Sequence, residues 1–218
     1  YLYMDDMAPE HQAISDNITS IIRDIIGFQD NFVTPEVVKR DKEASAEGKR
    51  AEMTKGTKGA GVDNTPYFSK VFNVINQMLF SIKAEAVADR AIARMKEGKK
   101  AVIAFASTMG SFLDDMGVTE GEIIEADFAY VLRKGLESVT KITETNIQGD
   151  KKSKAIDMHS LSPEAQAKYQ DILERINQVS TGITIPPIDV IRQKIEAAGF
   201  SVTEVTGRKY EVQLNMFG

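Results

Sequence analysis

Apolar residues in the first part of the chain recur every three or four positions, which is the spacing of an amphipathic helix. The isoleucines after Pro9 form the first such series: Ile14, Ile18, Ile21, Ile22, Ile25 and Ile26. Gly27 is predicted to end this helix. A shorter helix is predicted to begin at Thr34, which would cap it, with Pro35 in the first helical position.

The stretch Lys39–Gly61 has a different composition. It holds seven basic and four acidic side chains and hardly any large apolar residue. Such a segment cannot offset the entropy of ordering by burial, so the pattern predicts a mobile basic loop. Residues 1–65 are therefore predicted to form a helical N-terminal arm that carries this loop.

After this loop, the apolar spacing predicts a long helix from Phe68 to about Glu97, ended by Gly98. The run Ala101–Ala106 is apolar on both faces, which is typical of a central strand in a parallel sheet. A helix over Ser111–Met116 is predicted to follow. The sequence here therefore indicates a helix, a strand and a second helix in succession.

A second unit of this kind lies near the end of the chain. It consists of a predicted helix Ile188–Ala198, a stop at Gly199 and a strand over Phe200–Val205 with alternating apolar residues. The stretch Lys209–Leu214 also alternates and is predicted to be a further strand or a hairpin arm. Together the two units predict a partial parallel sheet of about two to four strands.

Between the two units the pattern predicts helices over Glu122–Thr143 and Ser162–Val179, separated by a polar, exposed segment, Gln148–Lys154. We interpret residues 119–185 as a helical insertion. Residues 66–218 are thus predicted to form one α/β lobe that is interrupted by this insertion.

Composition narrows the class of protein. The chain has 218 residues, a formal net charge of −5 and no cysteine. The lack of cysteine excludes disulfides and a cysteine nucleophile, and it favours an intracellular, cytoplasmic location. The net charge leaves the partner open, because a local basic surface can exist in an acidic protein. No apolar run reaches the ~18 residues of a membrane span. The absence of an initiator methionine leads us to expect that the chain is a fragment of a longer protein.

Several motifs suggest a catalytic or metal site at first sight, but none has the required context. Tyr3–Asp6 matches the metal-binding tetrapeptide of reverse transcriptases without a flanking palm pattern. Gly56–Gly61 resembles a phosphate loop, but no strand precedes it. The acidic pair Asp114–Asp115 is typical of a solvated helix face, and His11 and His159 alone do not indicate a triad. We therefore predict no metal site and no catalytic residue.

The remaining candidates are small, hydroxylic or basic residues that follow the two predicted strands. They are Ser107, Thr108, Gly110, Thr206, Gly207 and Arg208. One interpretation is turn and capping chemistry, in which a hydroxyl caps a helix and glycine permits a bend. The other is that hydroxyls, free N–H groups at a helix start and a guanidinium bind the phosphates of a nucleic acid.

Two stretches of the sequence resemble superfamily-two helicases. The helix that leads through Glu97–Lys100 into AVIAFASTMGSFLDD is similar to the start of the second RecA-like lobe, where the strand carries the fourth motif of that superfamily. More narrowly, STMGSFLDD, the helical insertion and PPIDVIRQKIEAAGFSVTEVTGRK resemble the strawberry notch family of helicase-like ATPases. This family includes the methylase-helicase proteins of phages and mobile elements.

The resemblance implies a helix-rich α/β fold with the partial parallel sheet of a RecA-like lobe. The last three candidate residues would be the Thr-Gly-Arg signature that follows the fourth motif, and the first three would lie near the backbone of the tracking strand. The implied partners are a nucleic acid, expected to be DNA, and the first helicase lobe of the same parent chain; ATP and Mg²⁺ would be cofactors of the intact parent. The P-loop and acidic box are missing from this sequence, so the chain alone is not expected to hydrolyse ATP.

An alternative function is that of a helical scaffold that binds a protein partner and no nucleic acid. The helices Met7–Ile26 and Phe68–Glu97 would then be docking surfaces. A small-molecule enzyme with a doubly wound sheet is less well supported, because the sequence lacks a glycine fingerprint and a credible acid-base pair.

Overall fold

Helices dominate the computed structural model of the chain, which describes residues 9–46, 61–105, 118, 127–146, 149–179, 183 and 187–205. The strands in these residues form one three-stranded antiparallel sheet. The structure is therefore helix-rich, as predicted, but the sheet in the described residues is antiparallel and the predicted parallel sheet is not seen in them. None of the described helices is both long and apolar enough to cross a membrane.

The helices and strands follow one another in a simple order along the chain. The helices are α1 (Pro9–Phe28), α2 (Thr34–Ala46), α3 (Phe68–Lys96), α4 (Ala129–Val139), α5 (Pro163–Gln178) and α6 (Pro187–Ala197). The strands are β1 (Gly61–Asp63), β2 (Lys141–Thr145) and β3 (Lys151–Ala155). A π-helical turn (Gln29–Val33) joins α1 to α2, and a 3₁₀ turn (Met158–Ser160) precedes α5.

The chain divides into two compact units. Unit 1 comprises Tyr1–Thr19, Phe72–Val131 and Ser180–Gly218, and unit 2 comprises Ser20–Val71 and Leu132–Val179. Parts of the predicted N-terminal arm and of the predicted insertion therefore belong to one unit. The two segments that resemble a helicase lobe belong to the other.

The predicted end of the first helix at Gly27 is wrong. Gly27 lies inside α1, and the chain stays helical through the π turn into α2. Thr34 has helical dihedral angles (φ −59°, ψ −43°), so it continues the helix instead of capping it. The buried side chains of Phe28 and Val33 explain the continuation, because they extend the apolar stripe beyond the glycine.

The predicted mobile loop is wrong in its first part, because α2 extends to Ala46. The ion pair between Arg40 Nε and Glu36 Oε1, at 2.8 Å and four residues apart, supports this helix. At the other end of the predicted loop, Gly61 lies in β1. Residues 47–60 lie outside the described residues.

The predicted helix Glu122–Thr143 agrees with α4 over Ala129–Val139, and residues 122–126 lie outside the described residues. Its predicted end is wrong, because α4 ends at Val139 and Thr143 lies in β2. Strand β2 pairs antiparallel with both β1 and β3, in the order β1-β2-β3. The segment Gln148–Lys154 was predicted to be exposed, and every residue of β3 is exposed. Its strand structure was not predicted.

Buried residues of α1, α4, β2 and α5 form the core of unit 2. The fully buried large side chains among them are Ile21, Ile25, Phe28, Leu132, Leu136, Ile142, Ile172 and Ile176. At the edge of this core, the guanidinium of Arg175 binds the carboxylate of Asp24 and donates to Ser20 Oγ at 3.1 Å. The Phe28 and Tyr169 rings lie 5.6 Å apart.

A buried glutamine joins two parts of unit 2. Gln29, only 2% exposed, accepts a hydrogen bond from the backbone N–H of Tyr67 at 2.6 Å and donates to the carbonyl of Thr65 at 2.9 Å. The phenol oxygen of Tyr67 is buried and has no hydrogen-bond partner among the described residues. Burial raises the pKa of Tyr67, so its hydroxyl stays neutral.

The predicted helix Ser162–Val179 agrees with α5, which Ser162 caps. The hydroxyl oxygen of Ser162 accepts a hydrogen bond from the backbone N–H of Ala165 at 3.2 Å. We expect Ser162→Ala to lower the free energy of unfolding by about 1 kcal/mol, because an orphan N–H loses its acceptor. Ser162→Asp restores an acceptor and is expected to retain most of the stability. Thermal unfolding of both variants would check this, and equal losses for both would contradict it.

Candidate functional site

All six residues predicted to bind phosphates lie outside the described residues. The described chain reaches Phe105, two residues before the first group, and Val205, directly before the second. The geometry that leads up to each group is therefore defined, and it belongs entirely to unit 1.

Small residues bring α3 and α6 together in unit 1. The buried alanines Ala84, Ala88 and Ala91 are spaced by four and three residues, so they share one face of α3. The side chains of Ile191 and Ile195 on α6 form one buried cluster with them. Alanines on a helix face allow a close approach, and two branched side chains fill the space against them.

An ion pair between the same two helices sets their alignment. Lys194 Nζ donates to Asp89 Oδ2 at 3.0 Å and lies 3.6 Å from Glu85 Oε2. The hydrogen bond with Asp89 raises the pKa of Lys194. Because these groups are largely exposed, the pair is worth at most about 1 kcal/mol, and it contributes more to register than to stability.

Both helices end in the same way. Gly98 after α3 has φ +76°, and Gly199 after α6 has φ +87°. In each case the glycine N–H bonds back three residues, and the next N–H bonds back five residues, from Lys99 to Arg94 at 3.1 Å and from Phe200 to Ile195 at 3.3 Å. These are glycine C-caps of the Schellman type. Unit 1 thus contains two copies of a helix, a glycine cap and an irregular segment.

The predicted strands that follow these caps are not formed in the described residues. Neither Ala101–Phe105 nor Ser201–Val205 has the hydrogen bonding of a strand, and no parallel pair joins them. Instead, both segments line one cavity of about 590 Å³, together with side chains of α6. The two segments have the predicted proximity, but a cavity takes the place of the predicted pairing.

Apolar side chains anchor both segments to the core of unit 1. Ile103, Phe105 and Val202 pack against the cluster of α3 and α6. The Phe105 ring meets Phe80 edge to face at 6.5 Å. By contrast, Val102 is 94% exposed and Val205 is 95% exposed. One side of each segment is therefore fixed, while the other presents apolar surface to solvent.

The C-terminal end of α3 is basic. Hydrogen bonds from Lys99 and Arg94, at 2.7 and 3.2 Å, lower the pKa of Glu97. Positive side chains at a helix C-terminus complement its dipole, so this end has a structural explanation. Within the described part of the chain no group of three metal-ligating side chains occurs.

Unit 2 contains a basic hairpin that the sequence pattern did not predict. It consists of β2 and β3, which are linked beyond their ends by hydrogen bonds between Asn146 and Asp150. The available signals were the β-branched residues Thr140, Ile142 and Thr143, and the glycine at position 149. The β-branched residues were assigned to the predicted helix Glu122–Thr143 instead.

No protein-family model, curated protein sequence or solved structure matches the chain.

Proposed function

We propose that this chain supplies part of the second RecA-like lobe of a nucleic-acid-dependent ATPase, a helicase or translocase of the strawberry notch type. The observation that supports this most is the set of chain segments that fold together in unit 1. Both segments that resemble the helicase lobe belong to this unit, and their helices share one buried cluster.

The repeated helix, glycine cap and irregular segment is consistent with a crossover α/β architecture. In such an architecture, helices pack on a parallel sheet and neighbouring strands run in the same direction. Residues 101–106 and 202–205 would be two of these strands. Of these, residues 101–105 and 202–205 line a common cavity without pairing. The parallel sheet itself is part of the proposal.

The proposed binding chemistry is recognition of phosphates without reading of bases. The six candidate residues follow the carboxyl ends of the two segments, where open α/β sheets bind their ligands. Hydroxyls and backbone N–H groups donate single hydrogen bonds to phosphate oxygens, whereas a guanidinium such as that of Arg208 can donate two in parallel. Contacts of this kind fix a strand in place and are independent of its sequence.

ATP hydrolysis would need a first lobe that supplies the P-loop and the acidic box. Those groups would hold ATP and Mg²⁺ and stabilise the charge that develops on the transferred phosphate. The proposed part of the present chain is to hold the nucleic acid while the two lobes move relative to each other. By itself, the chain is expected to bind nucleic acid and not to hydrolyse ATP.

Retention of single-stranded DNA tests the proposal. We expect the purified chain to bind a fluorescent single-stranded oligonucleotide more weakly as salt rises. Thr108→Ala and Arg208→Ala should each weaken binding, and Arg208→Ala should reduce the slope of log K against log salt by about 0.7 for one lost phosphate contact. Arg23→Ala, which removes an exposed guanidinium from α1, is the matched control and should leave the affinity unchanged.

Two results would contradict the proposal in different ways. Indifference of the chain to nucleic acid at low salt would favour the helical scaffold that binds a protein partner. ATP hydrolysis by the purified chain, stimulated by DNA, would refute its assignment to the second lobe.

A further inference from the structure

The hairpin of unit 2 has two faces of different character. Alternation along a strand places Ile142 and Glu144 on one face and Lys141, Thr143 and Thr145 on the other. Ile142 is completely buried, so its face packs on unit 2. The opposite face, here called the outward face, is turned away from this core.

Strand register identifies the residues that β3 adds to the outward face. Lys141 pairs with Ala155, Thr143 with Ser153, and Thr145 with Lys151. The outward face therefore carries two lysines at diagonally opposite corners and three hydroxyls between them. Since the rise is about 3.4 Å per residue, the backbone positions of the two lysines are roughly 14 Å apart along the strands.

The charges on the outward face are largely uncompensated. Lys154, on the other face, is paired with Glu144 at 2.6 Å. Lys141 and Lys151 have no described carboxylate within ion-pair distance. The acidic residue that β1 adds to this face is Asp63, which pairs with Thr143 and accepts a hydrogen bond from the backbone N–H of Asn64. The face is thus locally positive in a chain whose formal net charge is −5.

The turn of the hairpin is held by its own hydrogen bonds. Asn146 Oδ1 accepts from the backbone N–H of Asp150 at 2.8 Å, and the Asn146 N–H donates to the Asp150 carbonyl at 3.0 Å. The backbone positions of the two lysines relative to each other are therefore set before any ligand binds. Binding then costs less backbone ordering entropy.

We propose that the outward face of this hairpin binds the phosphate backbone of a single-stranded nucleic acid. Lysine ammonium groups and Ser or Thr hydroxyls are donors that contact phosphate oxygens, and this face presents no large apolar side chain that would favour a protein partner. The inference rests on the proposed function only in sharing its ligand, because all of its residues belong to unit 2.

Protection of the sheet edge is an alternative explanation for part of this pattern of lysines. Lysines on edge strands prevent sheets from pairing edge to edge, and β3 is an edge strand of the described sheet. That explanation covers Lys151 and extends to Lys141, because β1 pairs only with residues 143–145 of β2 and leaves position 141 without a partner on that side. It does not account for the hydroxyls between the two lysines, and the test below separates edge protection from phosphate binding.

The test compares two double variants with the same change in charge. The first variant, Lys141→Gln/Lys151→Gln, removes both lysine charges of the outward face. The second, Lys39→Gln/Lys42→Gln, removes two exposed lysine charges of α2 in the same unit. For the first pair, we expect several-fold weaker binding of a single-stranded oligonucleotide and a decrease of about 1.4 in the salt slope, since each lost contact contributes about 0.7. The α2 pair should match the unaltered chain. Circular dichroism should show that all variants are folded.

The results separate this inference from the proposed function. Loss of binding in the hairpin variant supports the inference, whether or not Thr108→Ala and Arg208→Ala also weaken binding. Normal binding by the hairpin variant, together with weak binding by Arg208→Ala, overturns the inference and leaves the proposed function intact. Self-association of the hairpin variant with unchanged affinity for the oligonucleotide also overturns it, because the lysines would then protect only the sheet edge.

Discussion

Replacing Ile191 by alanine is expected to lower the free energy of unfolding of unit 1 by about 2 kcal/mol. Ile191 is 5% exposed and packs with Ile195 against the alanine face of α3. Truncation of a buried isoleucine costs both its transfer from water and the space it leaves, about 2–5 kcal/mol in all. We expect a loss near the lower end of this energy range, because Ile191 also borders the 590 Å³ cavity. Its truncation therefore removes contacts with fewer neighbouring side chains.

Hydrogen exchange is the appropriate measurement, because two compact units can open separately. The amides of α6 should lose protection in Ile191→Ala, whereas those of α5 in unit 2 should retain it. Val102→Ala is the matched control: it removes methyl groups at a position that is 94% exposed, and surface changes of this kind usually stay within about 0.5 kcal/mol. Equal losses in the two variants would show that α3 and α6 are not packed as described.

The prediction that a glycine ends a helix was correct at two glycines with a positive φ and wrong at Gly27. Gly98 and Gly199 are both left-handed and end their helices as predicted. Gly27 is not among the described glycines of positive φ, and a Cβ placed there would meet nothing within 4 Å. The sequence shows where a glycine lies but not which φ it adopts. At Gly27 the helix continues because the buried side chains of Phe28 and Val33 extend its apolar stripe.

The hairpin was missed because its strands contain little periodic signal. Ile142 is the one fully buried residue of β2, and no residue of β3 is buried. Such strands are held by pairing with their neighbours, which depends on contacts distant in sequence. The observed helix ends at Val139. Because none of the next four residues excludes a helix, the predicted helix continued to Thr143.

The elements that lead up to the candidate site were predictable as far as local signals reach. The helices and glycine caps that lead into residues 101–105 and 201–205 follow from spacing and residue type. Whether the two segments pair or enclose a cavity depends on side chains such as Ile188 and Ile191, which enter from a separate helix. That arrangement is a property of packing and has no periodic signature in the sequence.

Gly135→Ala is expected to lower the free energy of unfolding of unit 2 by about 2 kcal/mol, against the usual direction. In the interior of a helix such as α4, alanine is normally more stable than glycine by about 1 kcal/mol. Here a Cβ at position 135 would lie 2.6 Å from the phenol oxygen of Tyr67 and 3.0 Å from Cζ of the same ring. The ring cannot move away easily, because Tyr67 is 1% exposed and its backbone N–H is bound to Gln29. Overpacking of this kind typically costs about 1–3 kcal/mol.

Tyr67→Phe provides the control, because it removes the oxygen nearest to the added Cβ. This oxygen has no hydrogen-bond partner among the described residues, so Tyr67→Phe alone should be neutral or stabilising, since an unpaired buried hydroxyl is costly. The double variant should recover part of the loss, with the 3.0 Å approach to the ring carbon limiting the recovery. The four proteins form a double-mutant cycle, and we expect a coupling energy of about 1 kcal/mol between the two sites. A gain in stability from Gly135→Ala in the unaltered background, measured by urea unfolding or by exchange of the α4 amides, would show that Tyr67 does not lie against this helix.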